Sequence, residues 1–271
     1  MQVVTITRLG EAVAVCPRRV SAGAPCCGRQ SDLGVGMEAE VSFRRQDGGV
    51  EDRSWRSVAA VSLQSAVPWR TFRWYKGQKH YSGVYWAATV RDHVIYESRL
   101  ELTRLLFADF DPSVRGIVAQ PFLLKAVVKG TARKHIPDYL LITEDGPVVV
   151  DVKPRRRLSN PVVAFTFAWT RRAVESRGWR YEVWSEPAET ELDNIRFLAG
   201  YRRNWLFNPE LLEEVRCADL EGVALGEAAR CVPGRAEARV RAALHHLLWR
   251  HELRIDLTRP LRPSTVLGNP A

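Results

Sequence analysis

The chain has 271 residues, 46% of them hydrophobic and 26% charged, with a formal net charge of +9. At about 100–200 residues per domain, that length suits one large domain or a core domain with a smaller companion. No apolar run approaches the ~20 residues that span a bilayer, and the first twenty residues lack the order of a secretory signal. These features argue against a protein with membrane-spanning helices and lead us to expect a cytoplasmic one. The surplus of Lys and Arg fits a polyanionic partner, although a coding bias toward Arg would give the same balance with no ligand at all. Five cysteines (Cys16, Cys26, Cys27, Cys217 and Cys231), odd in number and without zinc spacing, read as free thiols.

Residues 1–36 hold three of the cysteines, several Gly and Pro, and no sustained period. They read as a disordered leader or an over-extended translation start, with Met37 opening the folded part. Strands are expected at Ala39–Phe43, Val58–Leu63 and Val84–Ala88. Between the last two, Trp69 to Tyr81 interleaves basic and aromatic residues. Arg73, Lys76 and Lys79 there can grip phosphates while the rings stack; equally, the aromatics can close the edge of a core.

Tyr96–Phe110 reads as a helix, with Leu102, Leu105, Leu106 and Phe110 as its apolar stripe and Glu97 and Glu101 one turn apart beside it. Strands follow at Gly116–Gln120, Phe122–Val128, Ile136–Ile142 and Val148–Val152. Asp145-Gly146 between the last two predicts a type I′ hairpin turn, which needs positive φ at both central residues. Asn160-Pro161 opens a second helix, Asn as N-cap and Pro at the first helical position, which stops at Gly178. Arg180–Ser185 then completes a strand–helix–strand unit with a parallel pair, so the helix is a crossover on a mixed sheet.

Beyond Pro187 helical segments take over, at Asp193–Tyr201, Pro209–Ala218 and Arg235–His251. A short strand and turn follow at Leu253–Leu261. The expected organisation is an α/β domain over 37–188, a mixed central sheet flanked by helices, followed by a small helical domain over 189–271. Helices followed by a small β element could form a winged-helix module.

Three separated pieces belong together: Glu101 on a helix, Asp138 entering a strand, and Asp151-Val-Lys153 at the end of the next. Residues two apart on a strand share a face, so Asp151 and Lys153 point the same way. With Asp145-Gly146 at the hairpin tip, Asp138 falls opposite Lys153 and diagonal to Asp151. Two carboxylates and an ammonium thus converge, with Glu101 added from the helix. Phosphodiester hydrolysis uses such a set: Mg²⁺ held by one or two carboxylates, and a Lys that orients or deprotonates the nucleophile and offsets transition-state charge. Taken singly, each piece has a plainer reading as a solvated strand end, a turn starter or an exposed helix face.

The set Glu101…Pro137-Asp138…Asp151-Val-Lys153 resembles the signature of the PD-(D/E)xK nuclease superfamily, whose fold is restriction-endonuclease-like. More narrowly, Tyr96-Glu-Ser-Arg-Leu-Glu101, Gln120-Pro-Phe122, His135-Ile-Pro-Asp-Tyr139 and Val150-Asp-Val-Lys-Pro154 resemble TnsA-like endonuclease subunits of heteromeric transposases. The likeness is good over roughly residues 70 to 190. It implies a Mg²⁺-dependent enzyme, with Mn²⁺ as a substitute, that cuts the 5′ ends of a transposon in double-stranded DNA. A DDE-type transposase would cut the 3′ ends, an AAA+ ATPase would act as regulator, and the protein would sit at the nucleoid.

By position, the resemblance makes Glu101, Asp138 and Asp151 metal ligands and Lys153 the catalytic lysine, with Glu97 a rival to Glu101. Well-studied members carry Gln where Asp151 stands. Gln120 and His135 would support the site or touch DNA. His135 also has a plainer place on a basic loop with Arg133 and Lys134. Arg155, Arg156 and Arg157 would lie near the scissile phosphate. A stand-alone restriction or repair nuclease, or a non-catalytic DNA-binding adaptor, are the other readings.

Overall fold

A computed structural model describes residues 38–70 and 81–268, all within one unit, Gly36–Ala271. Ten strands and seven helices are found among them. The strands are β1 (Ala39–Arg44), β2 (Val50–Ser54), β3 (Gly83–Ala87), β4 (Asp92–Tyr96), β5 (Val114–Ala119), β6 (Leu123–Val128), β7 (Thr131–His135), β8 (Tyr139–Thr143), β9 (Gly146–Val152) and β10 (Arg180–Trp184). The helices are α1 (Ala60–Gln64), α2 (Arg99–Phe110), α3 (Pro161–Glu175), α4 (Glu189–Leu198), α5 (Pro209–Arg216), α6 (Leu225–Ala228) and α7 (Glu237–Trp249). The architecture is mixed α/β.

One sheet has the order β2-β1-β6-β7, a second β10-β9-β8-β5, and β3 and β4 form a separate hairpin. Every pairing is antiparallel except β9 with β10, which α3 connects as a crossover. The second sheet is buried on both faces, which explains its continuous apolar runs. Val118, Leu140 and Val149 join the first sheet and α3 in one core. Ile117, Tyr139, Leu141, Val148 and Val150 face α2, α4, α5 and α7 in the other. Residues 189–268 therefore share a continuous apolar cluster with α2 and the sheet.

Two edge strands escape sequence reading. β2 (Val-Glu-Asp-Arg-Ser) and β7 (Thr-Ala-Arg-Lys-His) are largely exposed, so neither shows apolar alternation. Charged edges of this kind discourage pairing with other chains. Val58–Leu63 is not a strand: a single helical turn, α1, forms there, with Leu63 buried and Val61 68% exposed. The expected strand over Leu253–Leu261 does not form either. The side chain of Asn194 donates to the carbonyls of Leu257 and Arg259 and accepts from the Leu261 amide, meeting the needs a neighbouring strand would otherwise serve.

The turns also differ from expectation. Positive φ at both central residues of a two-residue hairpin occurs at Lys129-Gly130, between β6 and β7. That is the type I′ geometry. At the β8–β9 hairpin only Gly146 has positive φ, and Thr143 pairs with Gly146. The loop is thus Glu144-Asp145, and Gly146 begins the strand.

Asn160 caps α3, its side chain accepting from the amides of Val162 and Val163 with Pro161 at the first position. Asn160→Ala is expected to cost about 1 kcal/mol, measurable by urea denaturation. An unchanged midpoint would show that Pro161 alone sets the helix start.

Candidate active site

The hairpin register is the first determinant of the site. Tyr139 pairs with Val150, so continuing one step places Asp138 opposite Asp151. The sequence expectation put it opposite Lys153. The displacement is two positions along one strand, so every side chain keeps its face. Asp138, Asp151 and Lys153 remain on one side, as the count required. Asp138 lies just outside β8 and accepts the Val152 amide at 2.7 Å.

Glu101 arrives from α2. That helix begins at Arg99 and not at Tyr96, because Ser98 caps it and the Glu101 side chain reaches back beyond the cap, a variant of the capping box. The Glu101 amide donates to Ser98 Oγ (3.2 Å), and Ser98 Oγ donates to Glu101 Oε1 (2.8 Å). The Glu97 amide donates to Glu101 Oε2 at 2.7 Å. Glu97 thus precedes the helix and is not one helical turn below Glu101.

These residues line one cleft of about 440 Å³, together with Arg70, Glu97, Lys134, His135 and Val152. Burial, with the charges of Asp151 and Glu101, holds the Asp138 carboxyl well above the usual carboxylate range. Burial likewise raises Glu101, opposed by its hydrogen bonds to the Glu97 amide and Ser98, and Glu97's charge adds to the rise. Lys153 pulls both carboxyls the other way, though more weakly than burial pushes them up. Such a cluster of partly desolvated like charges is short of positive charge.

Asp151 is held differently. It is 2% exposed, and both its oxygens lie within hydrogen-bond distance of His135 Nε2, at 2.8 and 2.9 Å. Tyr181 donates its hydroxyl to Oδ2 of the same carboxylate. Burial and the charge of Asp151 push the Tyr181 phenol far up, so it stays protonated as a donor. Among the described residues, no three Asp, Glu, His or Cys side chains are already gathered as a metal cage.

Gln120 is 5% exposed. It donates to Glu97 Oε1 at 2.6 Å and accepts the Arg70 amide at 3.0 Å, so it braces the cleft wall. Its φ of 45° lies in the left-handed region, unusual for a non-glycine residue. Backbone bonds hold it there: its amide donates to the Asp138 carbonyl (2.8 Å), and its carbonyl accepts from Trp69 (3.1 Å).

His135 ends the edge strand β7 and is not on a loop. Arg155, Arg156 and Arg157 form an exposed turn just after Lys153 but outside the cleft lining. The Arg155 amide and guanidinium both bond Glu186. Arg73, Lys76 and Lys79 lie outside the described residues.

Two contributors went unread. Tyr181 could have been found from the expected parallel pair, since it pairs with Val149 and so faces the same side as Asp151. Arg70 carries no such signal. Among the described residues, no helix is long and apolar enough to cross a membrane. Cys217 and Cys231 are free thiols. No protein-family model matches the chain, and no curated protein is significantly similar to it.

Proposed function

We propose that this chain is a metal-dependent DNA endonuclease with a restriction-endonuclease-like core, acting as the 5′-end-cutting subunit of a heteromeric transposase. The observation that carries the reading is the cleft itself. Two half-buried, charge-starved carboxylates, Glu101 and Asp138, share it with the Lys153 ammonium, and Arg70 and Lys134 stand at its wall.

Hard oxygen donors of this kind suit Mg²⁺, which binds through one or two carboxylates and keeps several waters. Asp138 and Glu101 would hold it, each keeping lone pairs beyond its present hydrogen bonds. When bound, Mg²⁺, or Mn²⁺ in its place, polarises the phosphate and lowers the pKa of a coordinated water. Lys153 orients the attacking water or takes its proton and offsets charge on the phosphorane-like transition state. The Val152 amide fixes the Asp138 carboxylate, and the Ser98–Glu97 clamp fixes Glu101. Gln120 keeps Glu97 and the Arg70 backbone in place, and Arg70 and Lys134 meet the DNA backbone. The partners in this reading are double-stranded transposon ends, a DDE-type transposase and an AAA+ ATPase.

The test is nicking of supercoiled DNA carrying the element's ends, with Mg²⁺ or Mn²⁺ and the cognate transposase present. Lys153→Ala is expected to slow cleavage by roughly 10²-fold or more without changing DNA affinity appreciably. Cleavage at the parental rate would remove Lys153 from the active site and the nuclease reading with it.

A further inference from the structure

Asp151 stands where a third metal ligand is expected, yet its carboxylate takes donors from two other strands and, unlike that of Glu101, is almost wholly buried. Nε2 of His135 sits at nearly equal distances from both, and Tyr181 binds one of them from the next strand. A carboxylate that is 2% exposed and held from two sides cannot turn without breaking its bonds to His135 and Tyr181. The imidazole bridges two sheets, since β7 is the edge of the first and β9 is internal to the second. Phe167 and Trp169 flank its ring edge-on, with centroids 6.3 Å away, which further limits its movement. Its side chain nonetheless keeps 18% exposure and lines the cleft.

We propose that Asp151 is a positioning residue, not a metal ligand: with Tyr181 it holds His135 at the cleft wall as a substrate-contacting group, and Glu101 and Asp138 alone supply carboxylates to the metal. This assignment rests on the nuclease reading and divides labour within the same cleft. A neutral His135 that donates Nε2–H to Asp151 carries its lone pair on Nδ1, and an imidazolium carries a proton there. In either form Asp151 fixes the ring's orientation, as carboxylates do for imidazoles in many sites.

The discriminating measurement is Mn²⁺ binding, read by electron paramagnetic resonance on the intact protein beside the nicking assay. His135→Gln leaves Asp151 in place and keeps an N–H donor for it. Were Asp151 a ligand oriented by His135, losing the imidazole would weaken metal binding by about 10–100-fold. The expected result is a Mn²⁺ Kd within about threefold of the parent for both His135→Gln and Asp151→Asn, with cleavage slowed at least tenfold in each. The double variant should be no slower than either single one, because the two residues act as a unit.

Glu101→Gln, by contrast, should weaken Mn²⁺ binding at least tenfold. A tenfold loss of Mn²⁺ affinity in His135→Gln, or in a folded Asp151→Asn, would overturn the assignment. So would a His135→Gln protein that cleaves at the parental rate. If the parent itself binds no Mn²⁺ while Lys153→Ala still abolishes cutting, the metal-ligand part of the proposed function fails together with this assignment.

Discussion

Asp138→Asn is expected to slow DNA cleavage by at least ~10³-fold while making the metal-free protein more stable by about 1–2 kcal/mol. The two effects share one cause. Asp138 is half-buried beside Asp151 and Glu101, and desolvation and like charge both oppose its ionisation. Asn keeps an oxygen for the Val152 amide and removes the charge, so the backbone bond survives and the repulsion does not. A neutral amide cannot serve as an anionic ligand, hence the loss of activity.

A carboxyl whose folded pKa is raised contributes stability that is present below about pH 4 and is lost as pH rises through the folded value. Parent and variant should therefore differ most under mildly alkaline conditions without metal. Mg²⁺ should close the gap by stabilising only the parent. Urea denaturation at two pH values, with and without Mg²⁺, measures this. An Asn variant less stable than the parent throughout would make Asp138 a structural anchor instead.

The strand counting that brought Asp138, Asp151 and Lys153 to one face needed only the side-chain period of two, and that part was legible. Which residues stand directly opposite depended on the turn, and there Asp145-Gly146 misled. The Gly's positive φ is present, but as the first strand residue after a Glu144-Asp145 loop. Meanwhile Lys129-Gly130 took the type I′ geometry with no Asn or Asp to announce it.

Edge strands were invisible for a physical reason. β2 and β7 bury little, so burial left no imprint on their sequences. His135 sits on one of these, so the bond that engages Asp151 could not be anticipated from apolar pattern. Ser98-x-x-Glu101 was a readable capping box, and reading it would have placed the start of α2 and shown that Glu101 serves the helix as well as the cleft.

The largest pH effect on stability away from the cleft should come from His245. It lies on α7, 4% exposed, with Nδ1 lacking a hydrogen-bond partner among the described residues. Phe197 and Tyr201 pack against its ring at 5.0 and 4.7 Å. Burial, with help from the charge of Arg241, lowers its pKa to about 4. Arg262 and Asp193 line the cavity of about 500 Å³ that His245 borders, the latter paired with Arg196.

An unfolded chain protonates His245 near pH 6.5, so below that value it binds more protons than the folded one. The stability gained by keeping the ring neutral is complete above pH 6.5 and is lost as pH falls through about 4. The span between those values corresponds to on the order of 3 kcal/mol. Burial shifts His246 in the same direction, whereas Asp138 and Glu101 act oppositely as they protonate. The clean quantity is therefore the difference between parent and His245→Phe, which keeps an aromatic ring and removes the titration. Between pH 7 and pH 4 the parent should lose on the order of 3 kcal/mol more than the variant in urea denaturation. Parallel stability curves would mean that His245 protonates without penalty, its Nδ1 reaching water through the adjoining cavity.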